Sequence, residues 1–295
     1  MRTVTPEALD AAEQYLLRAG RLIDRLRFAF LFREGSPTAV RRALRAYGND
    51  DGGFGNALEP DLRGAGSQPE PVEVALHVLD ESTTDAEPFD GPLVQAAGDF
   101  LLRVSAPDGG VPFVLPSVRS APAAPWWQTP DDPPGHLIPT GPVAALLYKH
   151  RVAHAFVEPA TRFCWERIDT LTETSPYEAR AILPFLDHVP DRARATAAFD
   201  RLAPLIALHV ERDPHAPGDV HFPLDFAPEP DGFGRQLFAD DVIDVHLDTL
   251  VETQSDDGSW SFNWPAWTPV VRHEWGGFMT VARLKTLRAY GRFDA

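Results

Sequence analysis

Leu250-Val251-Glu252-Thr253-Gln254-Ser255-Asp256-Asp257-Gly258-Ser259-Trp260 contains both halves of the pattern that decides the fold. Its first half continues an apolar stripe of Ile243, Leu247 and Leu250 down to Gln254, at the three- and four-residue spacing of a helix. Asp257-Gly258 then stops the helix, because glycine enters a left-handed turn without a Cβ penalty. Asp51-Gly52-Gly53-Phe54 and Asp108-Gly109-Gly110-Val111 repeat the arrangement, each setting an Asp-Gly turn before apolar residues. The three glycines are spaced close to one and three units of roughly 50 residues, a helix-turn-helix length. Helix pairs stacked at that period form a solenoid or, when the ends meet, a closed toroid.

The rest of the chain agrees with a helical reading. Thr5-Pro6, Ser36-Pro37 and Ser175-Pro176 each place a capping hydroxyl before a proline at a first helical position, and Glu178 completes a capping box with Ser175. Period 3.6 outcompetes period 2 nearly everywhere, as in Val40, Ala43, Leu44 and Tyr47. Helices are predicted over 5 to 19, 21 to 33, 36 to 47, 71 to 81, 91 to 103, 141 to 151, 158 to 172, 175 to 188, 191 to 210, 240 to 254 and 272 to 290. No convincing strand appears, so the class is all-α. Three connections are long, 48 to 70, 104 to 140 and 211 to 239, and loops of that length often form lids or binding loops.

Composition narrows the partners. The net charge of -16 is spread along the chain, and Lys149 and Lys285 are its only lysines. Such a surface repels phosphate backbones and anionic lipid, so neither nucleic acid nor a membrane is an expected partner. Glu7, Asp10 and Glu13 make the start unlike a signal peptide, and no run nears the roughly 20 apolar residues of a bilayer span, so a cytoplasmic protein is expected. The 29 prolines punctuate helices and loops and form no low-complexity tract. The single cysteine, Cys164, falls in the stripe Ala160, Cys164, Ile168, Leu171 and reads as a buried thiol.

The 250 to 260 stretch resembles the repeat of squalene and terpene cyclases, in which an apolar residue three before a Gln leads to Gly-x-Trp. The chain is thus similar to the terpenoid-cyclase and prenyltransferase-repeat proteins. The resemblance implies a single α/α-toroid domain over 1 to 295, a barrel of alternating inner and outer helices. In that family Gln and Trp tie the end of an outer helix to the next inner one. Helices 36 to 47, 91 to 103 and 240 to 254 would be outer; 71 to 81, 141 to 151 and 272 to 290 would be inner and enclose a cavity. Independently, Val72, Val74, Ala75, Leu76, Val78 and Leu79 are apolar nearly all round, as befits a helix buried on two sides.

The family's class II cyclases protonate an alkene or epoxide with an aspartic acid of an Asp-x-Asp-Asp sequence, which this chain does not contain. Its protein prenyltransferases hold zinc with Asp, Cys and His, and Cys164 is already assigned to the core. Asp240-Asp241-Val242-Ile243-Asp244 matches a magnesium-binding pattern, but Asp241, Asp244 and Asp248 lie opposite the apolar stripe, on a face expected to meet water. No metal and no cofactor is therefore expected.

Candidate site residues come from the loops leading into the inner helices. Asp61 and Glu274 are the leading acids, with Glu59 and His273 beside them as further acid-base groups. Trp126, Trp127, His136 and Trp275, with Glu73 and His77 one helical turn apart, are the ligand-binding candidates. The segments 56 to 68, 121 to 139 and 261 to 275 are expected to gather at one mouth of the cavity. Each residue also has a plainer reading, turn acids bonding backbone amides and tryptophans burying area.

The function expected is a prenyltransferase- or terpene-cyclase-like toroid that holds an apolar ligand, an isoprenoid being one kind, with acid-assisted chemistry. Two alternatives stay open: a carbohydrate-active toroid with paired carboxylates and tryptophan platforms, and a noncatalytic toroid that binds a small ligand or a partner.

Overall fold

Helix starts follow the caps. The computed structural model describes residues 1–89 and 91–294. Among them it has twelve α-helices: α1 (Pro6–Ala19), α2 (Leu22–Phe32), α3 (Pro37–Leu44), α4 (Pro69–Glu81), α5 (Pro92–Val104), α6 (Leu137–Lys149), α7 (Val157–Thr170), α8 (Pro176–His188), α9 (Arg192–Ala207), α10 (Pro223–Phe226), α11 (Asp240–Glu252) and α12 (Pro269–Ala289). The fold is all-α. Thr5 Oγ1 accepts the Ala8 amide at 3.2 Å, and Ser175 and Glu178 form the reciprocal capping box at 3.1 and 3.2 Å.

Two expectations shift. The one-turn α10 lies in a stretch read as loop, too short for periodicity to register. Helix α6 begins at Leu137, a turn before the expected 141: Pro139 lies in its first turn, where a missing amide costs least, and Pro142 lies inside the helix. His136 starts it, its Nδ1 accepting the Ile138 amide at 3.3 Å.

The described residues form two compact units, Pro37–Leu205 and Met1–Ser36 with Ile206–Ala295. Within the first, α6 packs on α4, α7 and α8. Ten of its residues are buried, from Leu137 to Leu147, which is why its sequence shows no polar face. Gly141 allows α8 to come close, since a Cβ there would stand 2.8 Å from the Ala181 carbonyl oxygen. Cys164 is fully buried in this unit. Within the second, α12 packs on α1, α2 and α11.

The three Asp-Gly turns have one geometry. Gly52, Gly109 and Gly258 have φ of 85°, 90° and 93°. In each, the Asp side chain accepts the amide two residues on, Gly53 at 3.0 Å, Gly110 at 3.1 Å and Ser259 at 2.9 Å. A backbone pair closes each turn, with Asn49, Ala106 and Ser255 donating to Gly53, Gly110 and Ser259 at 2.8 to 2.9 Å. Each glycine lies against a helix backbone: a Cβ would come within 2.4 Å of the Ala96 oxygen on α5, 2.6 Å of Pro159 on α7 and 2.1 Å of Ala11 on α1. An arginine from that same helix braces each turn: Arg103 and Arg18 donate to the carbonyls of Asp51 and Asp257, and Arg167 to the Asp108 carboxylate.

In the last turn, Gln254 Nε2 donates to the Ala8 and Gly258 carbonyls at 2.8 and 3.0 Å. Trp260 is 2% exposed and its indole nitrogen donates to the Leu250 carbonyl at 2.8 Å. The helix that follows two of the turns is bonded in the same way. The Val111 amide donates to Thr140 Oγ1 on α6 at 2.8 Å, and the Trp260 amide to Thr280 Oγ1 on α12 at 3.1 Å.

The acidic run of α11 has a role that periodicity does not show. Arg292, 1% exposed, donates to Asp248 at 2.5 Å and Asp244 at 2.6 Å. Asp241 remains exposed, but Asp244 and Asp248 serve as partners of that buried guanidinium as well as a polar face. No helix among the described residues is long and apolar enough to cross a membrane.

Candidate acid site

The loop between the first turn and α4 folds back under two unusual residues. Asn56 and Ala57 adopt left-handed backbone, φ 55° and 62°, although neither is glycine. Such strain persists only where surroundings over-determine it. Here the Asn56 amide donates to the Gly64 carbonyl at 2.8 Å, its side chain to Asn49 Oδ1 at 3.3 Å, and the Leu58 amide to the Gly55 carbonyl at 3.0 Å. The bend carries Glu59 and Asp61 inward, to 4% and 3% exposure.

Helix α4 presents two further acids. Glu70, Glu73 and His77 occupy positions i, i+3 and i+7, one stripe along its face. The Glu73 carboxylate lies 3.6 Å from His77 Nε2, and the exposure along that stripe rises from 17% at Glu73 to 50% at His77.

Four carboxyls are therefore gathered in unit Pro37–Leu205, and burial dominates their chemistry. Glu59 is pushed well above the usual carboxylate range by burial, and its neighbours Asp61 and Glu70 add to the effect. The amides of Asp61 and Leu62 bond its carboxyl and pull the other way, without overcoming burial. Glu70 is raised by burial and by Glu73. Glu73 is raised by burial to about 8, against the pull of Arg180 on α8. Like charges sharing a desolvated site cannot all ionise, so the site favours the protonated forms of the three glutamates. One carboxyl oxygen of each glutamate, Glu59 Oε2, Glu70 Oε1 and Glu73 Oε2, is sealed from solvent and makes no hydrogen bond with the protein. A buried polar atom left in that state costs about 1–3 kcal/mol.

The 121 to 139 loop is tied to this cluster. The Ala124 amide donates to the Asp61 carbonyl at 2.9 Å, and the Arg63 amide to Pro122 at 3.1 Å. Gln68, just ahead of α4, joins the same loop system through Ser117 Oγ at 2.9 Å and the Leu115 amide at 2.7 Å. Trp127 is 8% exposed, its indole nitrogen sealed and unbonded, whereas its neighbour Trp126 is 45% exposed. Phe113 stands between Trp127 at 4.8 Å and His136 at 5.5 Å. Burial lowers the His136 pKa against the pull of Glu178, so its imidazole is neutral near pH 7.

Seven of the ten sequence candidates fall in this unit: Glu59, Asp61, Glu73, His77, Trp126, Trp127 and His136. Of the three expected mouth segments, 56 to 68 and 121 to 139 are bonded to each other. His273, Glu274 and Trp275, on the opening turns of α12, belong to the other unit. There His273 is exposed, Glu274 half-buried, and Trp275 packs edge-on against Trp264 at 5.1 Å and Phe278 at 5.5 Å. Glu70 was missing from the sequence candidates. Its signal was there to read: an acid placed one turn from another on a helix otherwise apolar all round.

The chain is similar in fold to a protein from Actinoplanes known from its crystal structure. The match has a TM-score of 0.61 at 17% identity and covers 97% of this chain and 99% of that one. No family model and no curated protein matches. At that identity the likeness concerns the fold alone.

Proposed function

We propose that this chain is an α/α-toroid enzyme of the terpenoid-cyclase kind, in which a protonated glutamic acid of the Glu59, Asp61, Glu70, Glu73 cluster donates a proton to a largely apolar substrate. The observation that carries the reading is the set of three glutamates, each with a sealed and unbonded carboxyl oxygen. Toroid architecture is supported by the repeated turn. Helix α1 takes, against the third turn, the place that α5 and α7 take against the first two. The repeat thus carries over from the last helix pair to the first, as a closed ring of pairs requires.

In the proposed reaction the O–H bond of the acid breaks and a C–H bond forms at an alkene carbon. The adjacent carbon is left cationic and the carboxylate keeps the electron pair. The amides of Asp61 and Leu62 stabilise that carboxylate when Glu59 is the donor, which adjusts its acidity to the task. The faces of Trp127 and Phe113 suit a developing cation. Loss of a proton from a neighbouring carbon to water completes the product, and the acid regains its proton from solvent before the next turnover.

Incubation with acyclic polyisoprenoids in D2O tests this directly. Carbon-bound deuterium is expected in the product, and Glu59→Gln should reduce its incorporation at least about a hundredfold. Wild-type protein that places no deuterium in any member of the series would overturn the proposal. A second reading is favoured by the unbonded Trp127 indole N–H, sealed in the same unit as the three unbonded carboxyl oxygens, since hydroxyl groups would satisfy both kinds of group and a hydrocarbon would satisfy neither. That reading is glycoside hydrolysis by paired carboxyls, and release of the aglycone from aryl glycosides in parallel reactions would favour it instead.

A further inference from the structure

An acid that has given up its proton in a sealed site must be recharged, and the structure offers a route. We propose that the face of α4 formed by His77, Glu73 and Glu70 is a proton-uptake path that reloads Glu59 from solvent. The inference rests on the acid reading of the cluster.

Geometry carries the argument. Glu70, Glu73 and His77 follow one another along a single helix face, so the stripe leads from half-buried Glu70 and Glu73 to His77, whose side chain is 50% exposed. His77 Nε2 and Glu73 Oε1 are 3.6 Å apart, a few tenths of an ångström beyond hydrogen-bond reach, so a small side-chain movement closes the gap. The far oxygen of Glu73, one oxygen of Glu70 and one oxygen of Glu59 are all sealed and unbonded, so each has a lone pair open to an incoming proton. Glu59, 4% exposed, is the least accessible of the chain of acids and has Asp61 and Glu70 as its charged neighbours. Glu73 faces Glu70 and His77 on its own helix and Arg180 on α8.

Each step moves one proton and no other atom. Protonated Glu70 gives its proton to the Glu59 carboxylate, and protonated Glu73 replaces the proton that Glu70 has lost. The His77 imidazolium then gives its Nε2 proton to the Glu73 carboxylate so formed, becomes neutral, and is recharged by water. The last transfer leaves the cluster in its starting state. His77 therefore acts through Glu73 and not on a substrate, and the flow runs inward because Glu59 is the group that turnover leaves deprotonated.

The test uses the full-length protein without substrate. A rapid jump from pH 9 to pH 6, followed by time-resolved infrared spectroscopy, reads the growth of the protonated-carboxyl band. Glu59→Gln assigns its share of the amplitude. His77→Ala is expected to leave the final amplitude and the circular dichroism spectrum unchanged but to slow the growth about tenfold, and imidazole added to the buffer should restore the rate. Unchanged growth in His77→Ala, or slow growth that imidazole does not rescue, would overturn the path and leave the acid reading standing. The complete absence of a protonated-carboxyl band at pH 6 to 7 in the wild type would overturn both.

Discussion

Glu73 shows most sharply what one residue can carry. Its carboxyl, ordinarily titrating near 4.5, is raised to about 8 by burial. A carboxyl whose folded pKa is raised contributes its stability below its unfolded value and loses it as pH rises through the folded value. Wild-type stability should therefore fall between about pH 5 and pH 8 as this group is forced to ionise. Glu73→Gln cannot ionise, so its melting temperature should match wild type near pH 5 and exceed it at pH 9, by on the order of a few kcal/mol in stability. Parallel melting curves across that range would show that Glu73 is not desolvated. The sequence made Glu59, Asp61, Glu73 and His77 visible as acid-base types on a loop and a helix. It placed Glu70 one turn from Glu73, but gave no sign that Glu59 and Asp61 lie beside them, or that Glu274 and His273 lie in the other unit, because proximity between distant segments is a property of packing.

At the scale of elements, the Asp-Gly turn is where local sequence and tertiary packing meet. The left-handed glycine was readable from the motif; the helix backbone pressed against each glycine was not. Gly258→Ala combines a positive φ with a Cβ 2.1 Å from the Ala11 carbonyl oxygen, so it should cost about 3 kcal/mol or more in chemical denaturation. Gly66→Ala meets nothing within 4 Å and should stay within about 0.5 kcal/mol. Equal effects at the two sites would mean that the helix contact does not constrain the turn. Trp260→Ala should cost about 3–5 kcal/mol, since it removes a buried ring together with its bond to Leu250. The eleven longer helices were legible because caps, prolines and 3.6-residue periodicity act locally. The one-turn α10 escaped, too short to show a period, and α4, α6 and α12 begin two to four residues before their expected starts, each at a stretch with proline in its opening residues.

Over the whole molecule, the first and last segments are held together by backbone and charge. The Val4 amide donates to the Arg292 carbonyl at 2.8 Å, and the Asp294 amide to Val4 at 3.2 Å. Arg292 adds bonds to Asp244, Asp248 and the Arg2 carbonyl. Burial raises the Asp248 pKa, but the Arg2 amide and the Arg292 guanidinium together hold it below the usual range. Arg292→Met removes both ion pairs and the bond to the Arg2 carbonyl but leaves the two acids in reach of water, so it should destabilise the protein by about 1–3 kcal/mol. Asp244→Asn, at an exposed carboxyl, should cost under about 1 kcal/mol. Comparable losses in the two variants would count against a buried arginine as the organising group.

What the sequence determined by itself is the all-helical class, the position of nearly every helix and the three repeated turns. Those follow from interactions between residues a few positions apart, which a linear pattern records. Tertiary structure alone decided which acids are desolvated together, which tryptophan is buried, and that α1 covers the turn of Gly258. These depend on contacts across tens to hundreds of residues. A carboxyl's proton affinity is set by the water it has lost and the charges beside it, and neither is written in its own neighbourhood of the chain.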